Sequence, residues 1–66
     1  MNRDELRAEI ARKNISKRDL ANALGISETS FFLKMRSDRE FKETEIRKLV
    51  EVLKLTPEDV QRIFLS

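Results

Sequence analysis

Hydrophobic residues recur along this chain with the spacing of helices and without strand-like alternation. Leu6 and Ile10 lie one helical turn apart and predict a first helix from about Asp4 to Lys13. A longer stripe follows the helical spacing i, i+3, i+4, i+7 and predicts the fourth helix: Ile46, Leu49, Val50 and Leu53. The chain has a single glycine and a single proline, so few helix breakers interrupt these patterns. The pattern therefore predicts an all-α chain.

Capping residues predict where the second and third helices begin and end. Ser16 suits the cap of helix two, with Asp19 three residues later in a capping-box-like position. Gly25 suits the left-handed conformation that ends this helix. Ser27 then caps helix three, which we expect to run to about Arg36.

The last two helices carry one ambiguous and one clear start signal. Lys42 occupies the position where a cap of helix four would stand, and Thr44 is the alternative cap. The sequence TPED predicts the start of helix five, with the cap at Thr56 and proline in the first turn. Its buried residues are expected to be Val60, Ile63 and Phe64. The whole chain, residues 1–66, thus reads as one five-helix bundle.

Composition narrows the class of protein. The chain has 66 residues, of which 39% are charged and 39% apolar, as in a small globular domain. It has no cysteine and no histidine, which excludes disulfides, thiol nucleophiles and the usual zinc sites. Asp38 and Glu40 form a carboxylate pair, but on a polar loop without a glycine-rich cradle. We therefore expect no enzyme, no cofactor, no metal and no small-molecule substrate.

Charge and hydropathy suggest where the protein works and what it meets. The N-terminus MNRDELRAEI is charged and lacks the apolar core of a signal peptide, and no long apolar run follows. We therefore expect a cytoplasmic protein without a membrane partner. The net charge is +2, and the surplus lies in residues 1–25, notably in RKNISKR from Arg12 to Arg18. Such a cluster contacts phosphate if the fold places it beside a reading element.

The segment KRDLANALGISETSFFLKMR resembles the helix-turn-helix of the phage repressor and Cro class. It has a small Ala21 where two helices cross, Gly25 four residues later in the turn, and the apolar Phe31 six after that. The resemblance extends to the flanking helices and covers nearly the whole chain. It implies a sequence-specific double-stranded DNA-binding protein of phage or mobile-element origin, a small Cro-like repressor whose helix two and helix three form the helix-turn-helix.

The resemblance also implies roles for individual residues. The recognition helix, about residues 28–36, would enter the major groove of DNA. Its base-contacting residues would be Ser27, Glu28, Thr29 and Leu33. The residues expected to contact the DNA backbone are Lys17, Arg18, Ser30, Arg36 and Lys42. Two positions depart from the class, because Glu28 places a negative charge toward DNA and Ser37 replaces a glycine that often follows this helix.

Three questions stay open at the level of sequence. Phe31 and Met35 share the inward face of helix three. Phe32 either contacts thymine methyl groups or packs under helix four or the loop at Phe41, and Leu33 is the better outward candidate. The function could instead be that of a helical protein-interaction module or of an excisionase-like DNA-bending protein. Leu65 either supports a weak homodimer, formed fully on DNA, or covers the core of a monomer.

Overall fold

The computed structural model describes residues 1–65 and confirms the five-helix, all-α architecture, with no strand in this range. The helices are α1 (Arg3–Lys13), α2 (Lys17–Leu24), α3 (Glu28–Met35), α4 (Glu43–Val52) and α5 (Pro57–Phe64). Within the same range no helix is long and apolar enough to cross a membrane. Ser66, the last residue of the predicted domain, lies outside the described residues.

Side chains at the helix starts act as the sequence predicts. Ser16 and Ser27 each accept the backbone N–H three residues further on, at 3.0 Å. At α5 the exchange is reciprocal, because Thr56 N–H donates to the Asp59 carboxylate at 3.0 Å and Asp59 N–H donates to the Thr56 hydroxyl at 3.2 Å. Gly25 ends α2 in the left-handed conformation, with φ of 72°.

Two boundaries differ from the expectation by one residue. α1 begins at Arg3 and not at Asp4, because Asn2 accepts the N–H of Glu5 at 3.1 Å and caps the helix earlier. α3 ends at Met35, and the next residue is the C-cap. The chain then turns through Ser37, whose φ of 75° is left-handed although it is not a glycine.

The ambiguous start of α4 is resolved at Glu43, and the alternative with Thr44 as cap is wrong. Lys42 stands at the N-cap position, although its ammonium cannot accept a hydrogen bond. The carboxylate of Glu45 supplies the reciprocal half of a capping box, because it accepts the backbone N–H of Lys42 at 2.8 Å. A side chain three residues inside the helix therefore fixes its start.

The core lies where α2 packs against α3 and α4, and where α1 packs against α5. Its largest fully buried side chains are Leu6, Leu20, Phe31, Leu49, Leu53 and Ile63. The ring of Phe41, from the loop before α4, meets Phe31 edge to face with centroids 6.1 Å apart. Val60 and Phe64 are only half-buried, contrary to the expectation, because α5 packs chiefly against α1.

Polar contacts join the two ends of the chain. The backbone N–H of Asn2 donates to the carbonyl of Ile63 at 2.6 Å. The guanidinium of Arg62 pairs with Glu5 and Glu9 of α1 and with Asp59 of its own helix. Hydrogen bonds from the backbone of Thr56 and from Arg62 lower the pKa of Asp59 to about 2. These contacts hold α5 against α1. The same helix, α1, also contacts the end of α3.

Candidate nucleic-acid interface

The first turn of α3 presents polar side chains to solvent. Ser27, Glu28 and Thr29 are exposed, and Ser30 is half-buried. The Ser27 oxygen accepts the backbone N–H of Ser30, which leaves its hydroxyl hydrogen able to donate to a ligand. Hydroxyl and carboxylate groups of this kind supply both donors and acceptors, as the reading of base edges requires.

The second half of α3 has an aromatic outer face. Phe32 is 49% exposed, whereas Leu33 is half-buried, so the prediction that Leu33 points outward more than Phe32 is wrong. Phe31 and Met35 are buried, as predicted. Because one residue turns a helix by about 100°, Phe32 is carried off the face that its neighbour buries. The option that Phe32 packs under α4 near Phe41 is therefore excluded.

Arg36 covers the exposed ring. Its guanidinium lies over Phe32 at 5.4 Å from the ring centroid. Its Nε also pairs with the Asp38 carboxylate at 3.2 Å, and the side chain stays exposed. The cation is thus held in place at the end of α3, where it can still meet a phosphate.

The start of α2 contributes the other predicted cations. Lys17 and Arg18 are both exposed in its first turn, directly after the Ser16 cap. Lys17 borders the same groove as Phe32 and Arg36, so the structure brings these three side chains together. Arg18 and Lys42 are exposed but do not line that groove.

This groove, which we call the α1–α3 groove, has a volume of about 410 Å³. Its apolar wall consists of Ile10, Ala11, Ile15, Phe31, Phe32 and Met35. Its charged lining residues are all cations: Arg7, Lys17 and Arg36. A second cleft of about 630 Å³ shares Arg7 and Arg36 and adds Arg3 and Asp4. The surface around the end of α3 is therefore mainly basic.

Two arginines of α1 position the end of α3, and the sequence reasoning did not single them out. Arg3 Nε donates to the carbonyl of Lys34 at 2.8 Å, and an Nη of Arg7 donates to the carbonyl of Met35 at 3.0 Å. These carbonyls lie in the last turn of α3, where a helix leaves acceptors unsatisfied and carries partial negative charge. Cationic donors from another helix therefore fix the orientation of α3.

A buried ion pair joins α3 to α4, and it too was missed. The ammonium of Lys34 lies 2.6 Å from the Glu45 carboxylate, and the two side chains are only 8% and 6% exposed. Burial raises the pKa of the Glu45 carboxyl, but hydrogen bonds from Lys34 and from the Lys42 N–H outweigh it and leave that pKa below its ordinary value. Glu45 is therefore charged in the folded protein at neutral pH.

A signal for this pair exists in the sequence. Lys34 stands between Phe31 and Met35 on the inward stripe of its helix, and Glu45 stands four residues before the buried Leu49. A charge within an apolar stripe predicts either exposure or a buried partner, and opposite charges on two such stripes predict each other. Among residues 1–65, no group of three or more acidic, histidine or cysteine side chains is placed to hold a metal ion.

These features define the class of fold: an all-α five-helix domain that presents α3 at its surface between basic side chains. Comparison by sequence then gives the family. A family model described as protein of unknown function (DUF739) matches residues 2–66, and the chain belongs to that family. No curated protein and no solved structure matches the chain.

Proposed function

We propose that this protein binds double-stranded DNA in a sequence-specific manner and acts as a small transcriptional regulator. The observation that carries the proposal is the shared surface formed by the start of α2 and the outer face of α3, where Lys17, Phe32 and Arg36 lie together. One short element can then contact the DNA backbone while the next enters the major groove. The resemblance to phage repressors and Cro proteins supports the same arrangement.

Backbone contacts come from the start of α2 in this proposal. The first N–H groups of a helix attract phosphate, and Lys17 adds an exposed positive charge there. Arg18, Arg36 and Lys42 extend the basic surface on either side, and Ser30 lies at the edge of the first turn of α3. These contacts fix the position of the protein on DNA without reading sequence.

Base contacts come from the exposed first turn of α3. Ser27 and Thr29 offer hydroxyl groups, and the Glu28 carboxylate can accept a hydrogen bond from cytosine N4. Phe32 takes the apolar role that was expected of Leu33, because its exposed ring can meet a thymine methyl group. Bound at a promoter, the protein represses by occluding it.

Specificity from one copy is limited because a single reading helix covers few base pairs. We expect two copies on a two-fold site, with half-sites about 34 Å apart. Leu65, after α5, is 74% exposed and offers an apolar contact for a weak pair formed on DNA. The alternative that Leu65 covers the core does not fit this exposure.

The first experiment replaces Lys17 with alanine and measures DNA affinity at several salt concentrations. Loss of one phosphate contact should weaken binding on all sequences alike and lower the slope of log affinity against log salt by about 1. Lys48→Ala removes an exposed lysine from α4 and should leave the slope unchanged. Equal slopes for the two variants would contradict the backbone role of Lys17, and a wild-type protein without affinity for duplex DNA at low salt would refute the function.

A second experiment addresses base reading by Glu28. Selection of bound sites from a random duplex pool should return a different consensus for Glu28→Gln, since one good base contact discriminates by about 1–3 kcal/mol. Glu43→Gln neutralises an exposed carboxylate in the first turn of another helix and serves as the control. An unchanged consensus would leave Glu28 only as a favourable charge at the start of α3.

A further inference from the structure

The apolar wall of the α1–α3 groove is not explained by DNA binding. Phosphates and sugars are polar, and the only apolar feature of the major groove is the thymine methyl group, which one exposed ring suffices to contact. Yet the wall extends from Phe32 across to Ile10 and Ala11 of α1 and to Ile15 before α2. The groove is concave, with the exposed Phe32 and Ala11 at its edge and the buried Ile10, Phe31 and Met35 at its floor.

The size and lining of the groove define the chemistry of an occupant that would fit it. The volume, about 410 Å³, falls within the range of about 300–1,000 Å³ that ligand sites show. No acidic side chain lines the groove, whereas Arg7, Lys17 and Arg36 do. An occupant therefore needs apolar groups for the wall and negative charge for the rim.

The cations at the rim of the groove can exchange their present ion-pair partners for carboxylates of such an occupant. Arg7 pairs with Asp4 and Arg36 with Asp38, but all four residues are exposed, and exposed ion pairs contribute little. A ligand carboxylate can therefore replace Asp4 or Asp38 at little cost, while the other Nη of Arg7 keeps its hydrogen bond to the carbonyl of Met35. Lys17 makes no ion pair with any of the residues 1–65.

The shape favours a macromolecular segment over a small molecule. Sites for small ligands bury most of the surface of the ligand. Here Phe32 forms a wall that is itself half-exposed, so a small ligand would remain largely in water. A helix laid along the groove covers Phe32 from outside and inserts apolar residues spaced i, i+3, i+4, i+7, as in known helix-in-groove complexes.

We infer that the α1–α3 groove binds an acidic amphipathic helix of a protein partner, and that this partner and DNA exclude each other. The exclusion rests on the proposed function, because Lys17, Phe32 and Arg36 belong to both surfaces. Docking itself requires no DNA. The partner would thereby release the regulator from its site.

The probe is a synthetic acetylated peptide of about four helical turns, with leucine at the i, i+3, i+4, i+7 positions and glutamate elsewhere. Titrated into the isotopically labelled protein, it should shift the amide signals of residues 10–17 and 31–36. A matched peptide with lysine in place of glutamate should bind at least about tenfold more weakly. Binding at another surface, equal binding of the two peptides, or no binding would overturn the inference.

Variants of the protein distinguish binding of the peptide in the groove from nonspecific hydrophobic binding. Phe32→Ser removes the exposed wall and should weaken binding of the glutamate peptide by about tenfold or more. Leu65→Ser removes the other large exposed apolar side chain, which lies outside the groove, and should bind like wild type. If Leu65→Ser weakened peptide binding and Phe32→Ser did not, the peptide would bind near Leu65 and the proposed site would be refuted.

Competition with a fluorescent duplex tests the exclusion. We expect the glutamate peptide to displace the duplex at concentrations set by its own Kd. If the protein binds the peptide but no DNA, the proposed function fails and the docking site stands. If it binds DNA but not the peptide, the docking site fails alone, and simultaneous binding of both refutes the exclusion.

Discussion

The buried pair of Lys34 and Glu45 allows a quantitative test of how α3 is held. In Glu45→Gln the amide oxygen can still accept the Lys42 N–H, but the Lys34 ammonium faces a neutral group. An uncompensated charge in such a site costs about 3–5 kcal/mol. Since both side chains retain 8% and 6% exposure, we expect the lower end, about 3 kcal/mol.

That loss is large for a chain of this length. With about 0.05–0.15 kcal/mol of stability per residue, 66 residues give a free energy of unfolding of about 3–10 kcal/mol. A loss of about 3 kcal/mol should lower the Tm by about 12–24 °C, which circular dichroism resolves easily. Glu43→Gln is the matched control, because its pair with Arg47 is exposed, at 78% and 76%, and should change stability by less than about 0.5 kcal/mol.

Two further measurements test the mechanism. Lys34→Met combined with Glu45→Gln leaves no buried charge and should be more stable than Glu45→Gln alone. The folded pKa of Glu45 is depressed, so its stabilisation is present above the ordinary pKa of 4.5 and is lost as pH falls through the lower folded value. The wild type should therefore lose part of its advantage over Glu45→Gln below about pH 4.5. A Glu45→Gln protein as stable as wild type at pH 7, or an unchanged difference at low pH, would refute the reasoning.

Four other predictions concern single positions. Ser37→Gly should raise the free energy of unfolding by about 0.5–1 kcal/mol because Ser37 has a left-handed φ, whereas Gly25→Ala should lower it by about 1 kcal/mol through backbone strain alone, since an added Cβ meets nothing within 4 Å; denaturant unfolding measures both. Replacing thymine by deoxyuridine in a selected site should weaken wild-type binding and leave Phe32→Ala unaffected, and equal losses would exclude methyl recognition. Leu65→Lys should reduce cooperativity on a two-half-site duplex in sedimentation, and unchanged cooperativity would refute that dimer contact.

The parts of the fold that the sequence predicts well are those decided locally. A serine cap needs only the N–H three residues ahead, and Gly25 needs only its own backbone freedom. Such signals placed the starts of α2, α3 and α5 correctly. The start of α4 was ambiguous because its N-cap residue, Lys42, makes no side-chain cap hydrogen bond, and the polar contact there comes from Glu45 inside the helix.

The orientation of residues at the border of a helix face depends on neighbours that the helix pattern does not contain. Phe32 and Leu33 both lie beside the inward stripe, and spacing alone does not rank them. Which of the two side chains is more exposed is decided by α1 and the start of α2, which leave a groove beside Phe32. Arg36 then lies over the ring of Phe32. The prediction that Leu33 is more exposed than Phe32 is wrong for this reason.

Contacts between distant segments determine how α3 is presented. Arg3 and Arg7 hold its last turn from α1, and Glu45 holds its inner face from α4. An eight-residue helix has little stability of its own. The orientation of α3 is therefore determined by these three contacts and by the packing of Phe31. If α3 reads DNA as we propose, the residues that control recognition therefore include more than those exposed on α3. On the proposed function, we expect changes at Arg3, Arg7 or Glu45 to alter the angle at which α3 meets DNA, although none of them belongs to the exposed first turn of α3.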